Sequence, residues 1–377
     1  GAPVLLPCSN RAEVAINVRP FGGGVSKPRS APAVDRRSAR PSSCLPATFT
    51  LMCVAGSSVG LIRSFRGVSL RASSVPADSK TPGPGSMWRT TAASVRMPRM
   101  IYGTAWKSEQ TAELVEKAIE TGFRGIDTAC QPRHYREELV GEALQRVISK
   151  GLVERKDIFL QTKFTPPPGQ DPASIPYNPR ASVTAQVLES FNVSLRNLGT
   201  NYIDSLVLHS PLNTFEKTAQ AWKTMEDLQL QGKVGQIGIS NCYDLSTLQN
   251  LCKDARIKPA ILQNRFYADT LYDTNLRKFC DENNIIYQSF WTLTANPGLL
   301  YSPQVRDAAS RLDKTEAQIL FKYLSMKGIV PLTGTKDLTH MQQDLEVISD
   351  QNFNLQEEDV SAIDDLIFEA CKNARDE

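Results

Sequence analysis

Four polar residues follow three consecutive strand-like runs of the sequence, at the points where those runs end. Asp127 closes the first run, and Tyr135 lies on the segment just after it. Lys163 closes the second run and His209 closes the third. Each run is apolar and β-branched along its length, so an ionisable residue at its end is not explained by packing alone. Because the carboxyl ends of parallel strands build the active site of an α/β barrel, the pattern predicts an enzyme.

Together these side chains suit the protonation of a carbonyl oxygen. A lysine in a partly dry site needs a carboxylate to stay charged, and Asp127 on the neighbouring strand can supply it. The Lys163 cation is expected to lower the pKa of Tyr135 and make this phenol a proton donor near neutral pH. A neutral His209 can hydrogen-bond a substrate carbonyl and orient it. None of the four donates a hydride, so the chemistry requires a nicotinamide cofactor.

From residue 100 onward, strand-like and helix-like segments alternate with regular spacing. Apolar residues recur every three and four positions in the helical runs, and Gly122, Gly199 and Gly232 stand where left-handed helix ends are expected. Eight strand and helix units in about 260 residues predict a single (β/α)8 TIM barrel of the α/β class. The predicted strands are 100–104, 123–128, 157–162, 202–209, 234–240, 260–265, 285–290 and 328–331.

Three further segments are assigned around this barrel. Loops 166–180 and 291–303 follow the third and seventh strands, on the face where a substrate would enter. Residues 87–99 predict a short hairpin that closes the barrel floor. The folded domain is therefore assigned to residues 87–377.

The charge distribution separates a basic leader from this domain. The first 100 residues hold 14 Lys and Arg but only three acidic residues, whereas the remainder holds 29 basic and 37 acidic residues. Residues 1–86 are rich in Ser, Arg, Ala, Pro and Gly and lack an amphipathic period long enough to bury a face. The sequence therefore predicts a disordered leader, with a composition typical of an organelle transit segment.

An apolar run at 45–62 is about as long as the core of a signal peptide, and a stretch bearing Ser and Arg follows it. This order favours a two-part leader that targets the protein to a plastid. Two alternatives stay open: a mitochondrial presequence that starts at Met52, or an untranslated leader, which would leave the protein in the cytoplasm. Pro46, Gly56 and Gly60 interrupt the run, so a stable membrane span is not expected.

Composition also excludes several classes of function. The domain is mildly acidic, so binding to nucleic acid or to an anionic membrane surface is not expected. The eight cysteines include no CxxC pair and the chain has only three histidines, so no metal site is expected either. Reduced, buried thiols are expected instead.

From residue 98 to 366 the sequence resembles the aldo-keto reductase superfamily. That resemblance implies a catalytic tetrad of Asp127, Tyr135, Lys163 and His209, and NADPH lying across the barrel mouth. It agrees with the absence of a GxGxxG motif after a strand. The matching stretches, in the order of the family, are GFRGIDTA (122–129), FLQTK (159–163), YIDSLVLHSP (202–211), GKVGQIGISN (232–241), PAILQNRFY (259–267) and IVPLTGTK (329–336).

The match departs from the family around the tyrosine. The family usually has four residues between Asp and Tyr-x-Asn-Glu, but here seven residues intervene and Tyr135-Arg-Glu follows. Either Tyr135 is the acid on a longer loop, or His134 takes its place by spacing back from Glu137. A phenol suits lysine-assisted proton donation, so Tyr135 is favoured. The structural alternative for the other positions is a buried Asp127–Lys163 ion pair and a core imidazole.

The resemblance implies the cofactor and substrate positions one by one. Ser240, Asn241 and Gln263 would bind the nicotinamide carboxamide, and Phe290 stands where the family stacks an aromatic ring on the nicotinamide. Trp106 resembles the pocket tryptophan of the family, shifted by one residue. Trp291, which opens the loop after the seventh strand, is also assigned to the substrate pocket.

Recognition of the 2′-phosphate falls on the turn after the eighth strand. Gly334, Thr335 and Lys336 offer a backbone turn, a hydroxyl and an ammonium group. His340 stands where the family usually has an arginine at this phosphate. Gln343 and Asp344 stand where the family has the two residues that contact the adenine. Because the bidentate Arg is missing, we expect a modest preference for NADPH, with NADH possible.

These features predict a monomeric, NADPH-dependent reductase of small aldehydes or ketones. The alternative is a cofactor-binding regulatory protein of the same fold with little turnover, like the β subunits of potassium channels. A (β/α)8 isomerase or hydrolase would need paired carboxylates, a metal cluster or a phosphate site near strands seven and eight, and the sequence offers no such cluster. The short stretch after residue 366 suggests an open, permissive pocket.

Overall fold

A computed structural model describes residues 87–376 of the 377-residue chain. The predicted leader, residues 1–86, lies outside the described residues. Eight parallel strands form a closed barrel, in which the last strand pairs with the first through Leu332 and Ile101. The predicted (β/α)8 barrel is confirmed, and each predicted strand overlaps an observed one. The barrel strands are β3 Ile101–Gly103, β4 Gly125–Asp127, β5 Phe159–Phe164, β6 Ile203–Leu208, β7 Val234–Ser240, β8 Ile261–Arg265, β9 Ile286–Phe290 and β10 Val330–Thr333.

The predicted floor hairpin is also confirmed. Strands β1 Trp88–Thr90 and β2 Arg96–Pro98 pair antiparallel. Met97 is fully buried and packs in one apolar cluster with Ile101, Phe159 and other side chains at the start of the barrel strands. The hairpin therefore closes the amino-terminal end of the barrel and leaves the carboxyl ends of the strands open.

The helices form the outer layer. The sequence predicts helices at 111–121, 181–198, 214–231, 244–255 and 274–283. The observed helices Thr111–Thr121, Val183–Leu198, Phe215–Leu230, Leu245–Asp254 and Thr274–Glu282 begin within two residues of these predictions. Gly199 and Gly232 have φ of 62° and 70°, as expected of left-handed helix ends. The helices are α1 Thr111–Thr121, α2 Glu137–Ser149, α3 Val183–Leu198, α4 Phe215–Leu230, α5 Leu245–Asp254, α6 Thr274–Glu282, α7 Pro297–Leu300, α8 Pro303–Leu312, α9 Glu316–Met326, α10 Leu338–Ser349 and α11 Glu357–Asp376.

Three further properties concern residues 87–376 alone, since the apolar run at 45–62 lies outside the described residues. No helix in this part is long and apolar enough to cross a membrane. It contains no group of three or more His, Cys, Asp or Glu residues that could hold a metal ion. Its five cysteines are buried and form no disulfide with one another, at positions 130, 242, 252, 280 and 371.

Candidate active site

A buried ion pair lies at the centre of the barrel mouth. The Nζ of Lys163 is 2.5 Å from Oδ2 of Asp127 and donates a second hydrogen bond to the carbonyl oxygen of Thr128, at 2.8 Å. Asp127 and Lys163 are only 3% and 1% exposed. Burial lowers the pKa of Lys163, and the adjacent Asp127 carboxylate opposes that effect. Adjacent strands β4 and β5 place the two residues side by side.

A layer of three glutamine side chains holds the other oxygen of Asp127. Its Oδ1 accepts hydrogen bonds from Nε2 of Gln161 at 2.8 Å and from Nε2 of Gln263 at 3.2 Å. The same two amide groups donate to Oε1 of Gln288, at 2.8 and 2.9 Å. All three glutamines are at most 2% exposed, so this amide layer replaces aliphatic packing inside the barrel. Both carboxylate oxygens are thus fixed in direction.

Tyr135 lies beside this ion pair. Its ring centroid is 5.2 Å from Nζ of Lys163 and 6.1 Å from the ring of His209, which it meets edge-on. Its hydroxyl forms no hydrogen bond with the residues that the structure describes. The predicted lowering of its pKa is wrong for this structure: burial, reinforced by the Asp127 charge, raises the pKa of Tyr135. Since Lys163 is paired with Asp127, Tyr135 keeps its proton at neutral pH.

The neighbouring histidine, His134, has different contacts. Its ring packs against that of Trp106 with centroids 3.9 Å apart, and its carbonyl oxygen accepts a hydrogen bond from the Trp106 backbone at 2.8 Å. Burial and the Arg133 charge lower the pKa of His134. Tyr135 lies beside Lys163, whereas His134 packs against Trp106, so the contacts favour Tyr135 over His134 as the proton donor.

His209 is neutral, and one residue fixes which of its nitrogens carries the proton. Burial, then the Lys163 charge, holds the pKa of His209 well below its usual value. Its Nδ1 lies 2.6 Å from Oγ1 of Thr165, which is 2% exposed. Among residues 87–376 that hydroxyl has no other acceptor, so it donates to Nδ1, since a buried hydroxyl proton is rarely left unpaired. The imidazole proton then resides on Nε2 and can be donated to a carbonyl oxygen.

Replacing Thr165 by Val is expected to lower kcat for carbonyl reduction roughly tenfold, because the tautomer with the proton on Nε2 loses its hydrogen bond. Thr165→Ser restores the hydroxyl and should recover most of the rate. Steady-state kinetics on both variants make the comparison. Equal losses in the Val and Ser variants would mean that Thr165 acts through packing and not through its hydrogen.

The residues predicted to bind the nicotinamide carboxamide lie at the ends of β7 and β8. Oγ of Ser240 donates to the carbonyl oxygen of Gln263 at 2.6 Å. Nδ2 of Asn241 donates to the carbonyl oxygen of His209 at 2.8 Å, and its Oδ1 accepts from the Tyr243 hydroxyl at 3.2 Å. Oε1 of Gln263 has no hydrogen bond within the described part of the chain and remains an acceptor. Phe290 ends β9 and is half-buried.

A second lysine, not predicted from the sequence, lies at the turn after β10. Nζ of Lys107 donates to the carbonyl oxygen of Gly334 at 2.6 Å. Burial, followed by repulsion from Lys336, lowers the pKa of Lys107 to about 8. Lys336 is exposed and donates to Oε1 of Gln110 at 3.0 Å. Two ammonium groups thus flank the turn formed by Gly334 and Thr335, an arrangement that an anion would stabilise.

Comparison with known proteins identifies the family. The Aldo/keto reductase family profile matches residues 99–367. The chain belongs to this family. It is 29% identical over 275 residues to an uncharacterised oxidoreductase of Bacillus subtilis, covering 72% of this chain and 90% of that protein.

Two further relatives have similar extents. An NAD/NADP-dependent indole-3-acetaldehyde reductase of Schizosaccharomyces pombe is 29% identical over 294 residues, with 72% of this chain and 92% of that protein covered. Among solved structures, an aldo-keto reductase from a Medee basin deep-sea metagenome library is 28% identical with a TM-score of 0.63. That match covers 74% of this chain and 94% of the other. The family resemblance inferred from sequence motifs is confirmed.

Helix α10 carries His340, expected at the 2′-phosphate of an aldo/keto reductase cofactor, and Gln343 and Asp344, expected on its adenine. His340 is exposed and Gln343 is half-buried. Asp344 does not fit that expectation. Its carboxylate is 4% exposed and accepts a hydrogen bond from Oγ1 of Thr333 at 2.6 Å, and burial raises its pKa to about 6. This hydrogen bond joins α10 to β10, so the Oδ2 atom of Asp344 is already engaged within the protein.

The two tryptophans predicted to line the substrate pocket are both exposed. Trp106 is 58% exposed and Trp291 is 48% exposed, and each has a positive φ, of 62° and 56°. Strained backbone of this kind is common where loops carry binding residues. The guanidinium of Arg265 lies 4.3 Å from the Trp291 ring centroid.

Three residues of this aldo/keto reductase site were missed by sequence reasoning. Lys107 directly follows Trp106, Thr165 lies two positions after Lys163, and Arg265 lies two positions after Gln263. In a strand, residues two apart point to the same side, so Thr165 and Arg265 had a usable signal. Nothing in the sequence pointed to Lys107 except that it follows Trp106.

Proposed function

We propose that this protein is an NADPH-dependent oxidoreductase that reduces aldehydes or ketones to alcohols, with Tyr135 as general acid. The observation that carries the proposal is the convergence of a protonated Tyr135, a paired Lys163 and a neutral His209 at the mouth of an aldo/keto reductase barrel. The Schizosaccharomyces pombe relative is named as an NAD/NADP-dependent reductase, and a Saccharomyces cerevisiae relative, 28% identical, as an NADPH-dependent alpha-keto amide reductase.

The substrate carbonyl is held by two donors. Nε2–H of His209 donates to its oxygen and orients it, and the Tyr135 hydroxyl, which has no partner among the described residues, donates from a second direction. As negative charge develops on that oxygen, the Tyr135 proton moves to it, because an alkoxide is a stronger base than a phenolate. Lys163 stabilises the phenolate that remains.

The residues at the mouth fit a nicotinamide dinucleotide phosphate. Oε1 of Gln263 is a free acceptor for the carboxamide amine, and the Phe290 ring lies at the end of the neighbouring strand. Lys107 and Lys336 repel one another across the turn after β10, and a phosphate there would relieve that repulsion. When bound, the cofactor supplies the hydride to the carbonyl carbon.

Two assays on the purified protein test the proposal: a titration with NADPH, and NADPH oxidation in the presence of each of a panel of neutral aldehydes. We expect stoichiometric binding of NADPH and oxidation of NADPH only when an aldehyde is added. Binding of NADPH without turnover of any aldehyde would instead support the regulatory, potassium-channel β-subunit-like alternative. Failure to bind NADPH would contradict both.

Replacing Lys336 by Ala should raise the KM for NADPH and leave the KM for NADH almost unchanged. In the proposed site the Lys336 ammonium group binds the 2′-phosphate as a point charge. Its loss should therefore reduce the ratio of kcat/KM for NADPH to kcat/KM for NADH roughly tenfold, or by about 1.5 kcal/mol. Steady-state kinetics with both cofactors decide the matter. An equal decrease in kcat/KM with NADPH and with NADH would show that Lys336 supports the loop and does not bind the 2′-phosphate.

The KM for NADPH should rise as the pH increases above about 8, where Lys107 loses its proton in the free protein. A bound phosphate stabilises the ammonium form and raises its pKa, so affinity is full below that pH and declines above it. A pH series of the KM in wild-type protein and in Lys107→Met measures the effect. The Met variant should bind NADPH more weakly and show no such rise; an unchanged rise would assign it to another group.

We further propose that residues 1–86 target the protein to a plastid, and separately that residues 87–377 function as a monomer. The targeting proposal is supported by the basic, Ser- and Arg-rich composition of the leader. Fusion of residues 1–86 to a fluorescent protein tests the destination: mitochondrial or cytoplasmic fluorescence would contradict plastid targeting. Sedimentation of the purified domain tests the oligomeric state.

A further inference from the structure

An arginine at the barrel mouth carries a charge that the proposed chemistry does not use. Arg265 ends β8, and its backbone N–H donates to the hydroxyl of Tyr243 at 3.2 Å. Its Nε is buried without an acceptor. Within residues 87–376 its guanidinium forms no ion pair and no side-chain hydrogen bond. Arg265 is therefore a cation without a counter-charge in the part of the molecule where substrate enters.

Two aromatic rings hold this guanidinium in place. Its central carbon lies 4.3 Å from the Trp291 ring centroid and 4.9 Å from the Tyr267 ring centroid. Aromatic rings over the faces of a guanidinium leave the N–H groups in its plane to donate, and because Nε of Arg265 is buried, the groups that can reach a ligand are those on Nη1 and Nη2. Stacking also limits the side-chain entropy that is lost when those groups bind a ligand. The arrangement suits a planar anion that accepts two parallel hydrogen bonds, which a carboxylate does.

The position of Arg265 relative to the tetrad sets the length of such a ligand. Gln263, two residues earlier on β8, donates to Asp127 at 3.2 Å and so lies at the level of the tetrad. Residues two apart on a strand point to the same side and are about 6–7 Å apart along it. Arg265 therefore lies one step further toward solvent than the reacting carbonyl. An anion bound to it would be several bonds away from that carbonyl.

We propose that Arg265 binds the carboxylate of the substrate, and that the preferred substrates are aldehydes or ketones with a carboxylate at the end remote from the carbonyl. This inference rests on the proposed reductase function and names its substrate class. It also assigns a role to Trp291: the ring positions the guanidinium, and the substrate meets the exposed remainder of the indole.

A matched pair of substrates tests the charge directly. 4-Carboxybenzaldehyde and its methyl ester have nearly the same shape, and only the first is an anion. In wild-type protein, kcat/KM should be higher for the acid. Arg265→Met should lower kcat/KM for the acid roughly tenfold to hundredfold, the range of a charge-assisted hydrogen bond, lower kcat/KM for the ester much less, and leave the KM for NADPH unchanged.

Two further variants serve as controls. Arg265→Lys keeps the charge but loses the planar fork, so it should recover only part of the preference for the acid. Arg277 lies on α6, its guanidinium is 5.7 Å from the Phe266 ring centroid, and its Nε donates to the carbonyl oxygen of Tyr272 at 2.8 Å. Arg277→Met therefore removes another stacked arginine and should leave the preference for the acid intact.

Two kinetic outcomes would overturn the proposal. Equal losses for acid and ester in Arg265→Met would show that Arg265 only holds the loop at Trp291. A higher KM for NADPH, with the preference for the acid retained, would assign the anion to the cofactor diphosphate.

A binding measurement keeps this inference separate from the proposed reductase activity. 4-(Hydroxymethyl)benzoate is titrated into wild type and Arg265→Met in the presence of saturating NADP⁺, by calorimetry. Weaker binding to the variant, by roughly tenfold or more, supports the carboxylate site even if no aldehyde turns over. Equal binding to both proteins refutes it whether or not the protein is a reductase.

Discussion

Tyr135→Phe is expected to lower kcat for carbonyl reduction roughly 10²-fold to 10⁴-fold, the contribution of a positioned general acid. The dissociation constant for NADPH should be nearly unchanged, because the hydroxyl supplies a proton and makes no cofactor contact in the proposed site. Loss of this hydroxyl leaves no buried partner unpaired, since it forms no hydrogen bond with the described residues. Single-turnover kinetics together with a cofactor titration measure the two effects separately.

His134→Ala is the matched control for this prediction. His134 packs against Trp106 with ring centroids 3.9 Å apart, so its removal should alter the pocket wall and raise the KM for bulky aldehydes. It should not abolish turnover. If His134→Ala loses turnover and Tyr135→Phe retains it, the assignment of the acid is wrong and His134 holds that role.

Lys163→Met should impair both stability and turnover. The substitution leaves the Asp127 carboxylate buried without its cation, which typically lowers the free energy of unfolding by about 3–5 kcal/mol. Turnover should fall roughly 10²-fold or more, because the phenolate left by proton transfer from Tyr135 loses the adjacent positive charge. Urea denaturation and steady-state kinetics measure the two losses.

The double variant Asp127→Asn with Lys163→Met separates these two losses. With neither charge present, no ion remains unpaired, and the Asn oxygen can still accept from Gln161. We expect most of the lost stability to return while turnover stays low. Recovery of turnover in the double variant would show that Lys163 matters only for folding.

Much of the fold could be predicted because the apolar periodicity of the helices, the apolar strand runs and the glycines at helix ends all indicated alternating strands and helices. Gly199 and Gly232 ended helices where the apolar period stopped, and every strand prediction overlapped its observed strand, although the prediction 328–331 contained only half of β10. The pairing of Asp127 with Lys163 was also predictable, since both end neighbouring strands of a parallel barrel.

What the sequence could not reveal depends on burial and on contacts between distant residues. The pKa of Tyr135 rises because its surroundings are dry and Lys163 is already paired, and spacing along the chain does not contain that information. Asp344 was predicted at the cofactor surface from its position alone, but its side chain points inward to Thr333. The aromatic contacts of Arg265 join residues at and just after the ends of β8 and β9, which only the folded barrel brings together.

The amide layer inside the barrel restricts how this protein can diverge. An amide group has a direction, so Gln161, Gln263 and Gln288 orient one another, and Gln288 also donates to Sδ of Met97 in the floor hairpin, at 3.3 Å. Exchange of one glutamine for an aliphatic residue would orphan groups on its two partners, a larger loss than the exchange of an isolated core leucine. Descendants of this sequence should therefore keep all three amides or replace them together, and the floor and the mouth of the barrel should evolve as one unit.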